Sequence, residues 1–347
     1  MTGRQWSGAV ELTVQLTDGD QVLALAYPPL VGRPEPGDRV LLNANAEGLG
    51  TGGYAMVVAL PDRLPADPAG PGHLVKARYT PLQAVVLGVD EQDSPHHSVL
   101  RDADSLDGMP VVIADLHSAL PAICAGLFVD RPGTRIAYVM SDGGTLPLWF
   151  SRTVAALRQA DWLIGSVTVG QALGGDLEAV TTHTGLLAAR HVLNAEVTIV
   201  AQGPGNLGTG TRWGFSGVAA GEAVNAVATL GGRPVASLRI SDADPRERHQ
   251  GVSHHSLTAY GRVALAPADV VIPKLGSSFD DRIRQDIEPL RDRHRLIEIP
   301  VDGLDKALRD CPVKLSTMGR SVDEDTAYFL AVAAAGRHTA SLLKARE

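Results

Sequence analysis

Aromatic residues make up only 4% of this 347-residue chain, too few for base stacking or carbohydrate platforms to be its main mode of recognition. Basic residues are scarce too: 31 Lys and Arg face 39 Asp and Glu, for a formal net charge of −8. No basic tail or Lys/Arg block interrupts that balance. Phosphate neutralisation supplies most of a nucleic-acid binder's affinity, so the composition argues against that class. Two cysteines, Cys124 and Cys311, stand in no metal-ligand or redox spacing, as expected in a reducing compartment. The longest apolar run, 327–335, is far too short to span a bilayer. No charged-then-apolar signal segment opens the chain. A cytoplasmic protein with no membrane or nucleic-acid partner is expected, and a homo-oligomer is compatible with the sequence.

Glycine, by contrast, is in excess. There are 37, where average usage gives about 24. Twelve of them fall in four clusters, at 48–53, 143–144, 174–175 and 203–210.

Residues 1–75 read as a small β domain, barrel-like or sandwich-like. Segment 10–16 alternates apolar and polar residues, Asp18-Gly19 marks a turn, and short strands are predicted over 21–26, 39–42 and 54–60. The proline-rich stretch 61–72 reads as a linker, and 79–89 as a bridging strand. From residue 109 the rhythm changes. Continuous Val/Ile-rich strands at 109–116, 135–140, 163–169, 197–201 and 234–240 alternate with helix patterns at 117–128, 146–160, 177–192 and 217–230. Further strands are predicted at 270–273 and 296–299, and a last helix over 323–346 with Ser321 as its cap. The fold class is therefore α/β: a mainly parallel sheet with helices on both faces over 76–347, preceded by the small N-terminal β domain.

In such sheets ligands bind at the carboxyl ends of the strands, so the candidate chemistry lies in the loops there. His117 falls near a helix start, where the dipole favours neutral imidazole, the form suited to a general base or metal ligand. Asp142 with Gly143 and Gly144 follows the second strand, its glycines free to bring N–H groups close to a ligand; Thr145 is the predicted cap of the next helix. Gly174 and Gly175 precede Asp176, a good N-cap residue. After the fourth strand, Gly203, Gly205, Asn206, Gly208, Thr209, Gly210, Thr211 and Arg212 form a loop suited to cradling an anion. It formally matches G-x-G-x-x-G, but Pro204 within the turn and a helix beginning only near Ser216 depart from the dinucleotide fingerprint.

The densest polar run is 241–256. Asp244, Pro245 and Glu247 read as helix-capping residues. Arg246 and Arg248 offer forked donors for phosphate or carboxylate. His249, His254 and His255 are candidate acid/base residues, with Asp242 to orient one of them. Adjacent helical residues point about 100° apart, so His254 and His255 meet one ligand only over an irregular backbone. Asp142, Asp176, Asp242 and His254 are also the candidate ligands of a divalent metal, although no tight ligand motif is present. His96-His97 forms a second histidine pair in a polar loop.

The runs Leu49-Gly-Thr-Gly-Gly-Tyr54, Arg78-Tyr-Thr-Pro-Leu-Gln83, Ser94-Pro-His-His97, Gly208-Thr-Gly-Thr211 with Gly214-Phe-Ser-Gly217, and Asp244-Pro-Arg-Glu-Arg-His249 with Ser253-His-His255 carry a resemblance. Across nearly the whole chain they resemble a bacterial, largely actinobacterial, family of domains of unknown function. The resemblance implies a cytoplasmic actinobacterial protein and brings no activity, cofactor or catalytic residue. The residues themselves favour an enzyme acting on a small anionic metabolite by hydrolysis or group transfer, with a divalent metal compatible. A non-catalytic ligand sensor or scaffold is the second reading, and a nucleotide-cofactor oxidoreductase the third.

Overall fold

The computed structural model describes residues 2–46, 53–63, 72–144 and 146–344. Of the 48–53 glycine loop only Gly53, and of the 61–72 linker only its two ends, lie among them; Thr145 lies outside.

Strands β1 (Thr2–Trp6), β2 (Ala9–Gln15) and β3 (Gln21–Ala26) run antiparallel. After a single turn, α1 (Pro28–Val31), come β4 (Leu41–Asn43) and β5 (Ala55–Ala59). The order β1-β2-β3-β5-β4, with β3 and β5 parallel, is one open mixed sheet in place of the expected barrel or sandwich. Period-two alternation puts Val10, Leu12, Val22 and Ala24 together on one buried face.

A hairpin of β6 (Leu74–Lys76) and β7 (Ala84–Val86) follows, and the predicted strand over 79–89 reduces to β7. Lys76, 0% exposed, reaches out of this hairpin. Its Nζ donates to the carbonyls of Thr168, Ala172 and Ala179 and lies 3.0 Å from Glu178 Oε2. The second histidine pair straddles the start of the turn α2 (His97–Leu100), with His96 just before it and His97 Nδ1 spent on the Asp90 carbonyl.

The remaining chain builds an eight-stranded, wholly parallel sheet. In chain order its elements are β8 (Pro110–Ile113), α3 (Ala119–Asp130), β9 (Ile136–Ser141), α4 (Arg152–Gln159), β10 (Gly165–Thr168), β11 (Leu177–Glu178) and α5 (Thr182–His191). Then come β12 (Val197–Gln202), α6 (Ala219–Thr229), β13 (Arg233–Ser237), the ribbon β14 (Ile240–Ser241) with β15 (Gly251–Val252), and α7 (His254–Thr258). The chain closes with β16 (Asp269–Lys274), α8 (Phe279–Ile287), β17 (Arg295–Pro300), α9 (Leu304–Arg309) and α10 (Thr326–Ser341). The strand order is β11-β10-β9-β12-β8-β13-β16-β17. Strands buried on both faces must be apolar throughout, which is why β8 (Pro-Val-Val-Ile) and β12 (Val-Thr-Ile-Val-Ala-Gln) show no alternation.

Helices α3, α4, α9 and α10 pack on one face of the sheet, and α5, α6 and α8 on the other. Helix α3 is buried from Ala119 to Leu127 because α10 covers its outer side. Two glycines allow that approach. A Cβ on Gly126 would lie 1.9 Å from the Ala333 carbonyl oxygen, and one on Gly336 would lie 2.0 Å from that of Ile123.

Several boundaries differ from expectation. The helix expected over 146–160 begins at Arg152, after a 3-10 turn at Leu148–Phe150, and its cap is Ser151, whose Oγ accepts from Val154 N–H, in place of Thr145. Leu177 and Glu178 form an edge strand, and α5 starts at Thr182, capped by Thr181, whose Oγ1 accepts from Thr184 N–H. Asp176 instead accepts from the Ser166 N–H and hydroxyl and faces Arg158. Helix α10 begins at Thr326, so the acids at 323–325 precede it and Ser321 is not its cap.

At the opposite end of the sheet from the strand-end loops, the buried Asp269 meets Arg233, Arg295 and His338. Burial pushes its carboxyl up, but the His338 and Arg295 hydrogen bonds and the two arginine charges outweigh it and hold it at about 2. A folded-state value below the unfolded one, about 3.9, contributes stability that is complete above pH 4 and lost as pH falls towards 2. Asp269→Asn is therefore expected to lower stability by about 2 kcal/mol at pH 7, with thermal midpoints of variant and parent converging near pH 2.

Candidate functional site

Register determines what meets at the strand ends. Ile113 of β8 pairs with Val200 of β12 and Ala236 of β13, and Val200 pairs in turn with Val139 of β9. One or two steps beyond that row stand Asp115, Ser141, Gln202 and Ser237, and just past them Arg239. From β8 and β9 the chain departs to α3 and α4 on one face; from β10 and β12 it departs to α5 and α6 on the other. Adjacent strands β8 and β12 thus send their chains to opposite faces, the arrangement that opens a crevice in a parallel sheet.

Past β13 the β14–β15 ribbon brackets the polar run 242–250. It returns a 3-10 turn, Glu247–His249, onto the start of α7. Ser253 caps α7, its Oγ accepting from His255 N–H and lying 2.7 Å from His249 Nδ1. Helix α7 passes directly into a π-turn, Ala259–Val263, but His254 and His255 lie before it in the first turn of regular α-helix, so the irregular backbone expected for their convergence is not what brings them together. The result is a three-histidine cluster. His249, His254 and His255 each present a ring nitrogen, all within 4.8 Å of one another, with ring centroids 4.4 to 5.0 Å apart.

Around the cluster, Asp115 Oδ2 lies 3.6 Å from His255 Nδ1. The Arg239 guanidinium approaches the same nitrogen at 3.5 Å. Phe215 stacks on the His255 ring, centroids 3.8 Å apart and planes 3° from parallel. Burial and the Arg239 and Arg246 charges press His249 down to about 2, while burial, His255 and Arg248 press His254 to about 4. Both rings are neutral across the physiological range. Four buried atoms at these strand ends have no hydrogen-bond partner among the described residues: Asp115 Oδ2, Gln202 Oε1, Ser237 Oγ and His254 Nε2. Orphans of this kind are rare in folded proteins and here they collect in one place.

The other predicted residues are used differently. His117 is buried against the opposite face, with Nδ1 3.1 Å from the Tyr138 hydroxyl and Nε2 2.7 Å from Ser151 Oγ; both nitrogens are occupied, so it is a cross-link. Asp244, expected as a cap, is a buried hub that accepts from Arg239, Arg246 and Arg320. Burial raises its carboxyl, but the Arg246 hydrogen bonds and the arginine charges hold it far below the usual range. Arg246 is thereby committed to Asp244. Asp242 is exposed, and the carboxylate beside the histidines is Asp115 instead. Arg248 is exposed next to His254.

The glycine loop folds on itself as a small hairpin. Ser216 Oγ donates to Asn206 Oδ1, Thr209 Oγ1 donates to the Gly214 carbonyl, and Thr211 Oγ1 accepts from Gly214 N–H. Gly205 and Gly210 adopt positive φ, Gly208 has open space around it, and Gly203 packs on Leu146 and Met140. The hairpin's contact with the histidines is Phe215 rather than a ring of N–H donors. Asp142 clamps neighbouring loops by accepting from Gly144 N–H and Gln171 N–H, and Gly143 lies close against Gln202. Gly174 and Gly175 donate to Glu178 and Thr168 and lie beside Trp149 and the Thr168 backbone.

Sequence reading missed Asp115, Arg239 and Phe215. Asp115 and Arg239 do follow strands by two residues, a positional signal that could have found them; Phe215 offered none. Phe215→Ala is expected to release the His255 ring, costing about 3 kcal/mol from a buried aromatic site, read by denaturant unfolding.

No curated protein and no solved structure matches the chain. A family model does, over residues 23–336. The chain therefore belongs to the family described as "Protein of unknown function (DUF3866)".

Proposed function

We propose that His249, His254 and His255 form a divalent-metal centre and that the protein is a metal-assisted enzyme acting on a small anionic substrate. The observation that carries this is the convergence of three imidazoles on one point beside the unpartnered His254 Nε2 and Asp115 Oδ2. Three imidazoles with an open position form a donor set typical of catalytic zinc. Supporting groups fit the usual outer shell. Ser253 Oγ is placed to accept from His249 Nδ1–H, which would turn the opposite nitrogen towards an ion, and the Asp115 carboxylate, 3.6 Å from His255 Nδ1, would add negative charge beside it. A metal there would polarise a carbonyl or phosphoryl oxygen and acidify a bound water, so hydrolysis or group transfer is the reaction class.

Anionic substrates are favoured by Arg239. Its contacts to Asp244 and His255 are long, 3.4 and 3.5 Å, whereas Asp244 holds Arg246 at 2.8 Å and Arg320 at 3.1 Å. A buried guanidinium so loosely held, with Arg248 at the rim, can receive a phosphate or carboxylate.

Titrating chelator-treated protein with Zn²⁺ and Mn²⁺ tests the centre. One ion per chain is expected with a Kd below about 1 µM. Binding should weaken more than 100-fold in His254→Ala/His255→Ala and roughly 10- to 100-fold in Asp115→Asn. Binding of neither ion, or undiminished binding in a folded double variant, overturns the assignment.

A further inference from the structure

Between the end of β8 and the start of α6 lies a small cavity. Asp115, Ser141, Gln202 and Ser216 are its polar lining, and Gly217 and Ala219 form its wall towards α6. It leaves about 10 Å³ for the centre of a water-sized molecule, the least that holds one water. Two of the lining residues are almost fully buried and carry an oxygen without a partner. Gln202 is 4% exposed, and its orientation is fixed because Nε2 donates to the Asp115 carbonyl at 2.6 Å. Turning the amide over would set two oxygens against each other, so Oε1 is the atom left over. Gly143 approaches so closely that a Cβ there would stand 2.7 Å from Oε1, yet no N–H among the described residues serves this oxygen. Asp115, also 4% exposed, keeps Oδ2 unpartnered. Ser216 is satisfied, its Oγ donating to Asn206 Oδ1 and accepting from Leu207 N–H.

Size and polarity together select the occupant. A space this small excludes any organic ligand. The Asp115 carboxylate disfavours an anion, and the two orphaned oxygens call for a donor. Water donates to both and still accepts from a further group, the usual three-bond pattern of a buried water. We infer that the cavity binds one ordered water on Gln202 Oε1, and that this water links Asp115 to solvent. The way out is short: an open cleft of about 310 Å³ shares Ser141 and Ala219 with the cavity. Through such a link Asp115 Oδ2 can pass a proton to the water, which passes one of its own outward and is left unchanged. Under the reading of the previous subsection, on which this sentence alone rests, that proton is the one a hydrolytic water loses beside the histidines.

Crystals of the full-length, metal-free protein test the site. A single peak is expected about 2.7–3.2 Å from Gln202 Oε1, retained in Gln202→Glu and lost in Gln202→Leu. Gly143→Ala, whose methyl would press Oε1 into the same space, should displace the peak as well and guards against a leucine variant that fails to fold. A cavity without density, a peak that appears only with ammonium in the buffer, or a peak retained in either displacing variant overturns the water. Oxygen-17 relaxation dispersion tests the link. Ala219→Leu narrows the shared wall and should lengthen the residence time of this water roughly tenfold, since exchange must then wait for a local opening. An unchanged residence time overturns the link. Neither measurement involves a metal, so their failure leaves the histidine centre standing, and a protein that binds no metal leaves both readouts intact.

Discussion

Replacing Gly336 by valine is expected to remove at least about 3 kcal/mol of stability and to lower the melting temperature by about 5 °C or more. At an exposed helix position the change would be tolerable, since valine is a better helix former than glycine by a few tenths of a kcal/mol. Here a Cβ at 336 would lie 2.0 Å from the Ile123 carbonyl oxygen, and the atom it meets belongs to a helix backbone that cannot rotate aside. Helices α3 and α10 would have to separate, exposing residues that are fully buried on both, among them Leu127 and Phe329. Gly126 makes the reciprocal contact with Ala333, so Gly126→Ala is expected to be similarly harmful. One separation of the helices relieves both clashes, and the Gly126→Ala/Gly336→Ala pair should therefore cost less than the sum of its singles. Denaturant unfolding of the three variants reads this directly; a Gly336→Val protein as stable as the parent would show that the crossing is not tight.

Lys76→Met is expected to cost about 3–5 kcal/mol, since removing one partner of a buried ion pair strands the other. Burial pulls the Lys76 ammonium down, against the Glu178 charge that draws it up. Methionine fills the space but returns nothing to the three carbonyls and the carboxylate that Nζ now serves. The Glu178 carboxylate would keep Thr168 Oγ1 and Gly174 N–H while losing its counter-charge. Lys76→Met/Glu178→Gln should recover part of the loss, because the stranded charge goes with it. The surface pair Arg158–Asp176 provides the contrast, and Arg158→Ala is expected to change stability by under about 1 kcal/mol. A loss below 1 kcal/mol in Lys76→Met would mean that the clip holds nothing.

The layered α/β plan was legible because fully buried strands must be apolar and the intervening helices must show a 3.6-residue stripe. Every predicted main-sheet strand is present, displaced by a few residues at its ends. The convergence of His249, His254 and His255 was legible as a polar run after a strand, but the expected condition of irregular backbone was not, since His254 and His255 converge from the first turn of a regular helix. What stayed hidden depended on partners distant in the chain. Asp244 looks like a helix cap from its neighbours alone, and only the arrival of Arg320, 76 positions later, makes it a hub. His117 resembles a ligand until Tyr138 and Ser151 occupy its nitrogens. The glycine clusters mark close approaches at some positions, and there the neighbour is another part of the same chain, Trp149 at Gly174 and Gln202 at Gly143, while Gly205, Gly208 and Gly210 stand in open space.

The strand order also bears on how the chain reaches this state. Strands β8 and β9 are consecutive in sequence, yet β12 lies between them and is the first strand able to pair with β8. About 90 residues separate the two, so at roughly 5–20 residues per second β8 leaves the ribosome some 5–20 s before its partner. During that interval an apolar Pro-Val-Val-Ile edge has no sheet to join. Helix α3, held by its own local hydrogen bonds, is the one neighbour already made that can cover it. Nascent chains halted before residue 197 should therefore be the aggregation-prone species, and those extended past 202 should not.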